Sequence, residues 1–346
     1  MIDRILIVGL GSIGKRHVRL LHEIDPKIEV IVLRHKERQE SLAPGISQCV
    51  TSIDEALNYE PQAAILSNPA SLHIDIAKKL VKKGVHLLIE KPISNSSVGV
   101  EELIELCKVN NTILMVGYNL RFLPSLLKFR SLLDNNICGR VCSVRTEVGQ
   151  HLASWRPDSD YRQNVSANAA LGGGVLLELS HEIDYLRWLF AEIDWVNAIQ
   201  LKQSNLEIDV EDTAHIILGF DHDLGEVPIV ATLNMDFIRH DSTRSCMVIG
   251  EKGTLRWNGV EGTVKYFEGG KSEWQLLFES PNERDQSFSS ELKHFLNCIA
   301  TGDAPYITGV DGYVVLKIID AIRKSSLMGS KVYIEKKDDV LQHQIN

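Results

Sequence analysis

Through the first 120 residues, short apolar runs alternate with stretches of helical spacing. Residues 5–8 (Ile-Leu-Ile-Val), 30–33, 63–67, 85–89 and 113–116 read as strands. Between them, 13–24, 71–83 and 97–109 carry apolar residues three and four apart, the spacing of amphipathic helices. Strands that are apolar throughout and alternate with helices predict βαβ units, hence a parallel sheet covered on both faces. After residue 120 the rhythm changes. Residues 123–133 predict a helix and 141–148 a half-buried strand. A polar, aromatic loop runs from 151 to 168, and a triple glycine at 172–174 opens a helix through 190. The runs 196–201, 213–220, 227–236, 244–249 and 263–267 predict strands without intervening helices, which implies an open, mostly antiparallel sheet. Helical spacing returns at 289–300 and 311–325. The expected division is a first domain over 1–120, an α+β domain over 121–335 and a tail over 336–346.

Composition narrows the class. Of 346 residues, 44% are apolar and 24% charged, so a disordered or low-complexity chain is excluded. No apolar run approaches the roughly 18 residues of a membrane span, and the strand at residue 5 leaves no room for a signal peptide. The net charge of −9 argues against a phosphate-tracking nucleic-acid binder. Six scattered cysteines without a C-x-x-C pair read as buried free thiols of a reducing cytoplasm, with no metal site.

Gly9-Leu10-Gly11-Ser12-Ile13-Gly14 is a G-x-G-x-x-G between a strand and a helix, the context that dinucleotide binding requires. Gly9 serves the tight turn, Gly11 the approach of a pyrophosphate, and Gly14 the helix–strand contact. The backbone at Ser12 and Ile13 opens the helix whose N-terminus attracts phosphate. An acid normally ends the second strand about 20 residues on and binds the ribose of NAD. Here Arg34-His35-Lys36 stands instead, and a cation suits the 2′-phosphate of NADP. The other reading is a solvated basic turn.

Glu90-Lys91-Pro92 follows a strand at the carboxyl end where open α/β sheets bind ligands. An ammonium there can stabilise a developing alkoxide, although a lysine after a strand is ordinarily just solvated. Glu178, His181 and Asp184 fall at i, i+3 and i+6, within about 120° of one side of a helix. A histidine oriented by a carboxylate is a proton shuttle near neutral pH; equally, the three can mark a wet helical face. Trp155-Arg156 and Tyr161-Arg162 place two guanidiniums and two aromatics on one loop. They suit an anionic sugar, or ion pairs with neighbouring aspartates.

The ordered set resembles the glucose–fructose oxidoreductase/inositol dehydrogenase/MocA family of nicotinamide-dependent sugar dehydrogenases. The residues that carry the resemblance are the glycine turn, Asn68-Pro69-x-x-x-His73, Glu90-Lys91-Pro92, Gly117-Tyr118-Asn119-Leu120-Arg121-Phe122, Gly172-Gly173-Gly174…His181-x-x-Asp184 and the Asp311-Gly312-Tyr313…Val332 stretch. It implies an N-terminal Rossmann domain and a C-terminal domain used to form homodimers or homotetramers. It also implies that Lys91 meets the nicotinamide side and the reacting oxygen, and that His181 exchanges the hydroxyl proton. Asn68, Pro69, His73 and Glu90 would line the cofactor crevice; Asn119, Arg121 and Asp184 would face the substrate. Many members carry an Asp four residues before this histidine, where here Glu178 stands three before.

The expected function is hydride transfer between NAD(P), with NADP favoured, and an alcohol carbon of a sugar, cyclitol or nucleotide sugar. A glycosidase with internal redox cycling and a non-catalytic NADP sensor are the alternatives.

Overall fold

A computed structural model describes residues 2–34, 44–221, 227–280 and 283–335. The chain divides into two compact units, one comprising residues 1–122, 170–172 and 284–316, the other 123–169, 173–283 and 317–346.

The first unit is built on a six-stranded parallel sheet. Its strands are β1 (Arg4–Val8), β2 (Glu29–Leu33), β3 (Gln48–Val50), β4 (Ala63–Leu66), β5 (His86–Glu90) and β6 (Leu114–Gly117), in the order β3-β2-β1-β4-β5-β6. β1 and β4 are central and apolar on both faces, because helices cover both. These helices are α1 (Ser12–Ile24), α2 (Ile53–Leu57), α3 (His73–Val81) and α4 (Val100–Val109). The strand order reverses at β1/β4, the switch point at which such sheets bind ligands.

In the second unit, α5 (Pro124–Asp134) precedes β7 (Val141–Gly149), α6 (Val175–Glu178) and α7 (His181–Phe190). Then come β8 (Ile193–Leu201), β9 (Thr213–Phe220), β10 (Val230–Asp236), β11 (Thr243–Gly250), β12 (Gly253–Asn258), β13 (Thr263–Glu268) and β14 (Gln275–Glu279). α8 (Glu283–Thr301) and the start of α9 (Gly309–Met328) come next in the chain but belong to the first unit, and β15 (Val332–Tyr333) closes the second unit's nine-stranded sheet, ordered β14-β13-β12-β11-β7-β10-β9-β8-β15. Its ladders are antiparallel except β7–β10. Residues along β9 and β10 alternate between buried and exposed, the mark of a sheet with one covered face.

The units are not the continuous segments 1–120 and 121–335 of the sequence reading, because residues 284–316 return to the first. The reason is visible at β6, the sheet edge: Val116 N–H donates to Ile307 O at 3.1 Å, and Met115 bridges Thr308. An edge strand is thereby covered, while Phe288, Leu292 and Phe295 of α8 join the core around Ile5, Ile7 and Leu21. The tail at 336–346 lies outside the described residues. β3, α2, β12 and β14 carry too few periodic apolar positions to be read from sequence; β12 buries only Leu255 and Trp257 along Gly-Thr-Leu-Arg-Trp-Asn. Trp257 is anchored by an indole N–H donated to Ser125 Oγ at 2.9 Å.

Candidate functional site

The glycine turn sits at the switch point. Gly9 N–H donates to Leu33 O at 3.1 Å, which ties the turn to β2, and Gly9 has φ +89°. A Cβ there would lie 2.9 Å from the backbone of Asn68, so the two strand ends nearly touch. A Cβ on Gly14 would lie 2.1 Å from Gly9 O, and Ser67 Oγ donates to that same carbonyl at 2.9 Å. The chain therefore closes tightly behind the turn. In front it is open: Gly11 and Ser12 are exposed, Ile13 is half-buried, and a Cβ on Gly11 would meet nothing within 4 Å. Gly11 caps α1 without a side-chain hydrogen bond, and no acid stands in the first turn. Both amide atoms of Asn68 are buried and without a hydrogen-bond partner among the described residues. Open backbone donors, a helix N-terminus without carboxylates and an orphaned amide fit a pyrophosphate-bearing dinucleotide.

Arg34 is half-buried at the end of β2, its N–H bonded to Val50 O at 3.0 Å. His35 lies outside the described residues. Pro69 precedes the short turn Ala70–Leu72 that leads into α3. His73, assigned by resemblance to the crevice lining, is instead only 1% exposed. Its ring nitrogens face Asn68 O at 2.9 Å and Ile93 O at 3.3 Å. Burial lowers its proton affinity, so a neutral ring braces the two crevice loops from beneath.

Lys91 is half-buried after β5, in cis linkage to Pro92. Glu90 accepts from His17 Nε2 at 2.7 Å, and its carboxyl packs over Gly117. Glu90 is thus braced from below rather than presented wholly to a ligand. Sequence reasoning passed over His17. The available signal was a histidine on the buried stripe Gly14, Val18, Leu21 of α1.

Asn119 and Arg121, expected to face the substrate, are each 6% exposed and committed elsewhere. Asn119 donates its amide to Ser287 Oγ at 2.8 Å; Arg121 bonds Asp311 Oδ1 at 3.4 Å and Tyr306 O at 3.5 Å. They hold the returning 284–316 segment against the end of β6.

In the second unit, the helix expected from the triple glycine through Phe190 is broken. α6 ends at Glu178, Leu179 leaves helical geometry (φ −103°, ψ 22°), and Ser180 takes the N-cap position of α7. Glu178 and His181 therefore flank a break, and His181 opens the second helix. Both are half-buried, whereas Asp184 is only 1% exposed and belongs to the interior. Glu211 holds the start of α6: its backbone carbonyl accepts from Val175 N–H and its Oε1 from Leu176 N–H, each at 3.2 Å. Burial pushes this carboxyl up from the ordinary range. The next residue after His181, Glu182, is fully buried and pairs with Arg244 Nε of β11 at 2.7 Å, pinning α7 to the sheet.

The 151–168 loop is largely engaged with itself. Trp155 donates to Gln150 O at 3.0 Å and packs edge-on against Phe237. Tyr161 hydroxyl accepts from Glu207 N–H at 3.3 Å. Arg162 meets Asp160 at 2.8 and 2.9 Å and Glu207 at 3.0 Å, so its charge is neutralised by two carboxylates. The ion-pair reading of Arg162 is the one the geometry supports, while Arg156 is exposed. Beside them a cavity of about 620 Å³ is lined by Arg162, Lys202, Ser204, Asn205, Glu207 and Asp209 among others. No cluster of three or more metal-ligating side chains occurs among the described residues, and no helix among them is long and apolar enough to cross a membrane.

Comparison with known proteins gives the same outline. Residues 4–118 match the description "Oxidoreductase family, NAD-binding Rossmann fold" and 130–334 its "C-terminal alpha/beta domain". The chain is 26% identical over 340 residues to myo-inositol 2-dehydrogenase of Thermotoga maritima, covering 93% of this chain and 96% of that one. It is 24% identical over 348 residues to scyllo-inositol 2-dehydrogenase (NAD(+)) of Bacillus subtilis, covering 96% and 97%. A levoglucosan dehydrogenase solved in complex with NADH shares the fold, with a TM-score of 0.84, 19% identity, and 96% and 99% of the two chains covered. The chain is an oxidoreductase of the glucose–fructose oxidoreductase/inositol dehydrogenase/MocA family.

Proposed function

We propose that the chain transfers hydride between a nicotinamide dinucleotide and an alcohol carbon of a sugar, cyclitol or nucleotide sugar. The observation that carries this is the crevice at the β1/β4 switch point: open donors at Gly11–Ser12, the orphaned Asn68 amide, and Lys91 at the end of β5. The cyclitol dehydrogenases among the relatives support a polyhydroxylated ring as substrate. When bound, the nicotinamide supplies the hydride acceptor or donor. Lys91 stabilises charge developing on the reacting oxygen, and His181 takes or returns the hydroxyl proton, worth about 10²–10⁴ in rate. Glu178, across the α6–α7 break, orients His181. Asp184, being interior, supports α7.

NADP is preferred over NAD in this reading, because Arg34 stands where a carboxylate would repel a 2′-phosphate. Arg156 is the cation assigned to an anionic substituent, with Trp155 and Tyr161 shaping the loop. Exposed Ile199, Leu201 and Ile217 on the outer face of the second sheet support a homodimer or homotetramer. The expected setting is the cytoplasm.

The test is fluorescence titration with NADPH and NADH separately, followed by turnover on a panel of cyclitols, sugars and nucleotide sugars. Lys91→Met is expected to abolish turnover while cofactor binding persists. Equal loss of both assigns Lys91 to cofactor docking. Tighter NADH binding removes the Arg34 argument, and binding of neither removes the proposal.

A further inference from the structure

The interior of the first unit holds a carboxyl group that the crevice does not account for. Glu291 of α8 is 0% exposed, on the same helix as the core residues Phe288, Leu292 and Phe295. Neither of its carboxyl oxygens has a hydrogen-bond partner among the described residues. Its charged neighbour is Glu90 at the end of β5, which is already bonded to His17 of α1. The His17 ring packs edge-on against Phe288, and its Nδ1 is buried without a partner among the described residues. Nearby, Glu90 packs over Gly117 of β6, Asn119 of the following turn donates to Ser287, four residues before Glu291 on α8, and Arg16 and Arg19 of α1 are both spent on Asp285. No described cation is paired with Glu291.

An ionised carboxylate in such a place loses its hydration and gains nothing, so it takes a proton instead. Burial first, then the neighbouring Glu90 charge, raise the proton affinity of Glu291 well above the carboxylate range. We propose that Glu291 keeps its proton beside Glu90, so that the strand end carrying Lys91 holds one negative charge rather than two. Glu291 is thus a positioning residue for the Glu90–Lys91–Pro92 turn. A second charge below would add to the pull on the Lys91 ammonium at the same strand end. This role for the turn rests on the cofactor-crevice reading above, whereas the stored proton does not.

The experiment is urea denaturation of the cofactor-free chain and of Glu291→Gln, which keeps shape and donor but cannot ionise, between about pH 5 and 9. A raised native proton affinity adds stability that is whole below the unfolded value near 4.5 and fades as pH climbs through the native value. The wild-type folding constant should therefore fall by up to about tenfold per pH unit within that window relative to the variant. Glu291→Gln should be the more stable at the alkaline end. Equal slopes, or a variant weaker by one constant factor throughout, overturn the proposal. NADH titration over the same range should show an alkaline loss of affinity in the wild type that the variant lacks; parallel curves remove the positioning role. Should the variant not fold, infrared spectra of the native wild type decide. A protonated-acid carbonyl band at neutral pH that vanishes on unfolding is expected, and its absence overturns the proposal.

Discussion

The glycines at positions 11 and 14 belong to one motif, yet the structure gives them separable tasks. In Gly14→Ala the new methyl would lie 2.1 Å from Gly9 O and 2.9 Å from Ser67 Oγ. The hydroxyl can rotate away, but the carbonyl is backbone, fixed by the bonds of Gly9 N–H to Leu33 O and of Ser67 N–H to Val8 O. Separation by about 1 Å is needed to reach an ordinary contact, so α1 must shift off the sheet, an overpacking cost of about 1–3 kcal/mol. Better helix propensity returns at most about 1 kcal/mol. The net expectation is a loss of about 1–2 kcal/mol, together with lost cofactor binding because the phosphate donors move with the helix. In Gly11→Ala the methyl meets nothing within 4 Å and points into open space. Stability should stay within about 0.5 kcal/mol, while NADH affinity falls because the methyl occupies the approach to the pyrophosphate. Urea denaturation and NADH fluorescence titration on both variants read the two effects separately. If Gly11→Ala costs as much stability as Gly14→Ala, or leaves NADH affinity intact, the pyrophosphate reading of this turn is wrong.

Two further expectations concern the second unit and the thiols. Ser125→Ala strands the indole N–H of fully buried Trp257; a loss of about 1–3 kcal/mol in urea denaturation is expected, and an unchanged midpoint would show that the bond is immaterial. Native alkylation followed by mass spectrometry should label exposed Cys49 and Cys142 first. Cys138 and Cys246 should resist, since burial pushes their thiols up to about 11 and about 12; early labelling of Cys246 would contradict its placement.

What could be read from the chain divides along a physical line. Gly9, Gly14 and the apolar strands declare themselves because backbone geometry and two-sided burial leave few residue choices. Asn119 and Arg121 mislead because a polar residue after a strand looks the same whether it meets a ligand or a distant piece of the chain. Their partners Ser287 and Asp311 stand 168 and 190 residues away. Arg162 was half legible: Asp160 is two residues off, but Glu207 is brought in by the fold from 45 away. The break between Glu178 and His181 was hidden because Leu-Ser interrupts no apolar period. His17 and Glu291 escaped notice because each sits on an otherwise apolar helical stripe, where only three-dimensional neighbours distinguish a polar device from an accident.

The return of α8 to the first unit also bears on how the chain is made. β1 to β6 leave the ribosome as a continuous stretch, but the seat that Phe288, Leu292 and Phe295 fill beside Ile5 and Leu21 stays open. Those side chains emerge roughly 170–180 residues later, about nine to thirty-five seconds at ordinary elongation rates. Throughout that interval the nascent parallel sheet presents an uncovered apolar surface and an unguarded β6 edge, the features that chaperones bind. Closure of the dinucleotide-binding half therefore awaits synthesis of nearly all of the other.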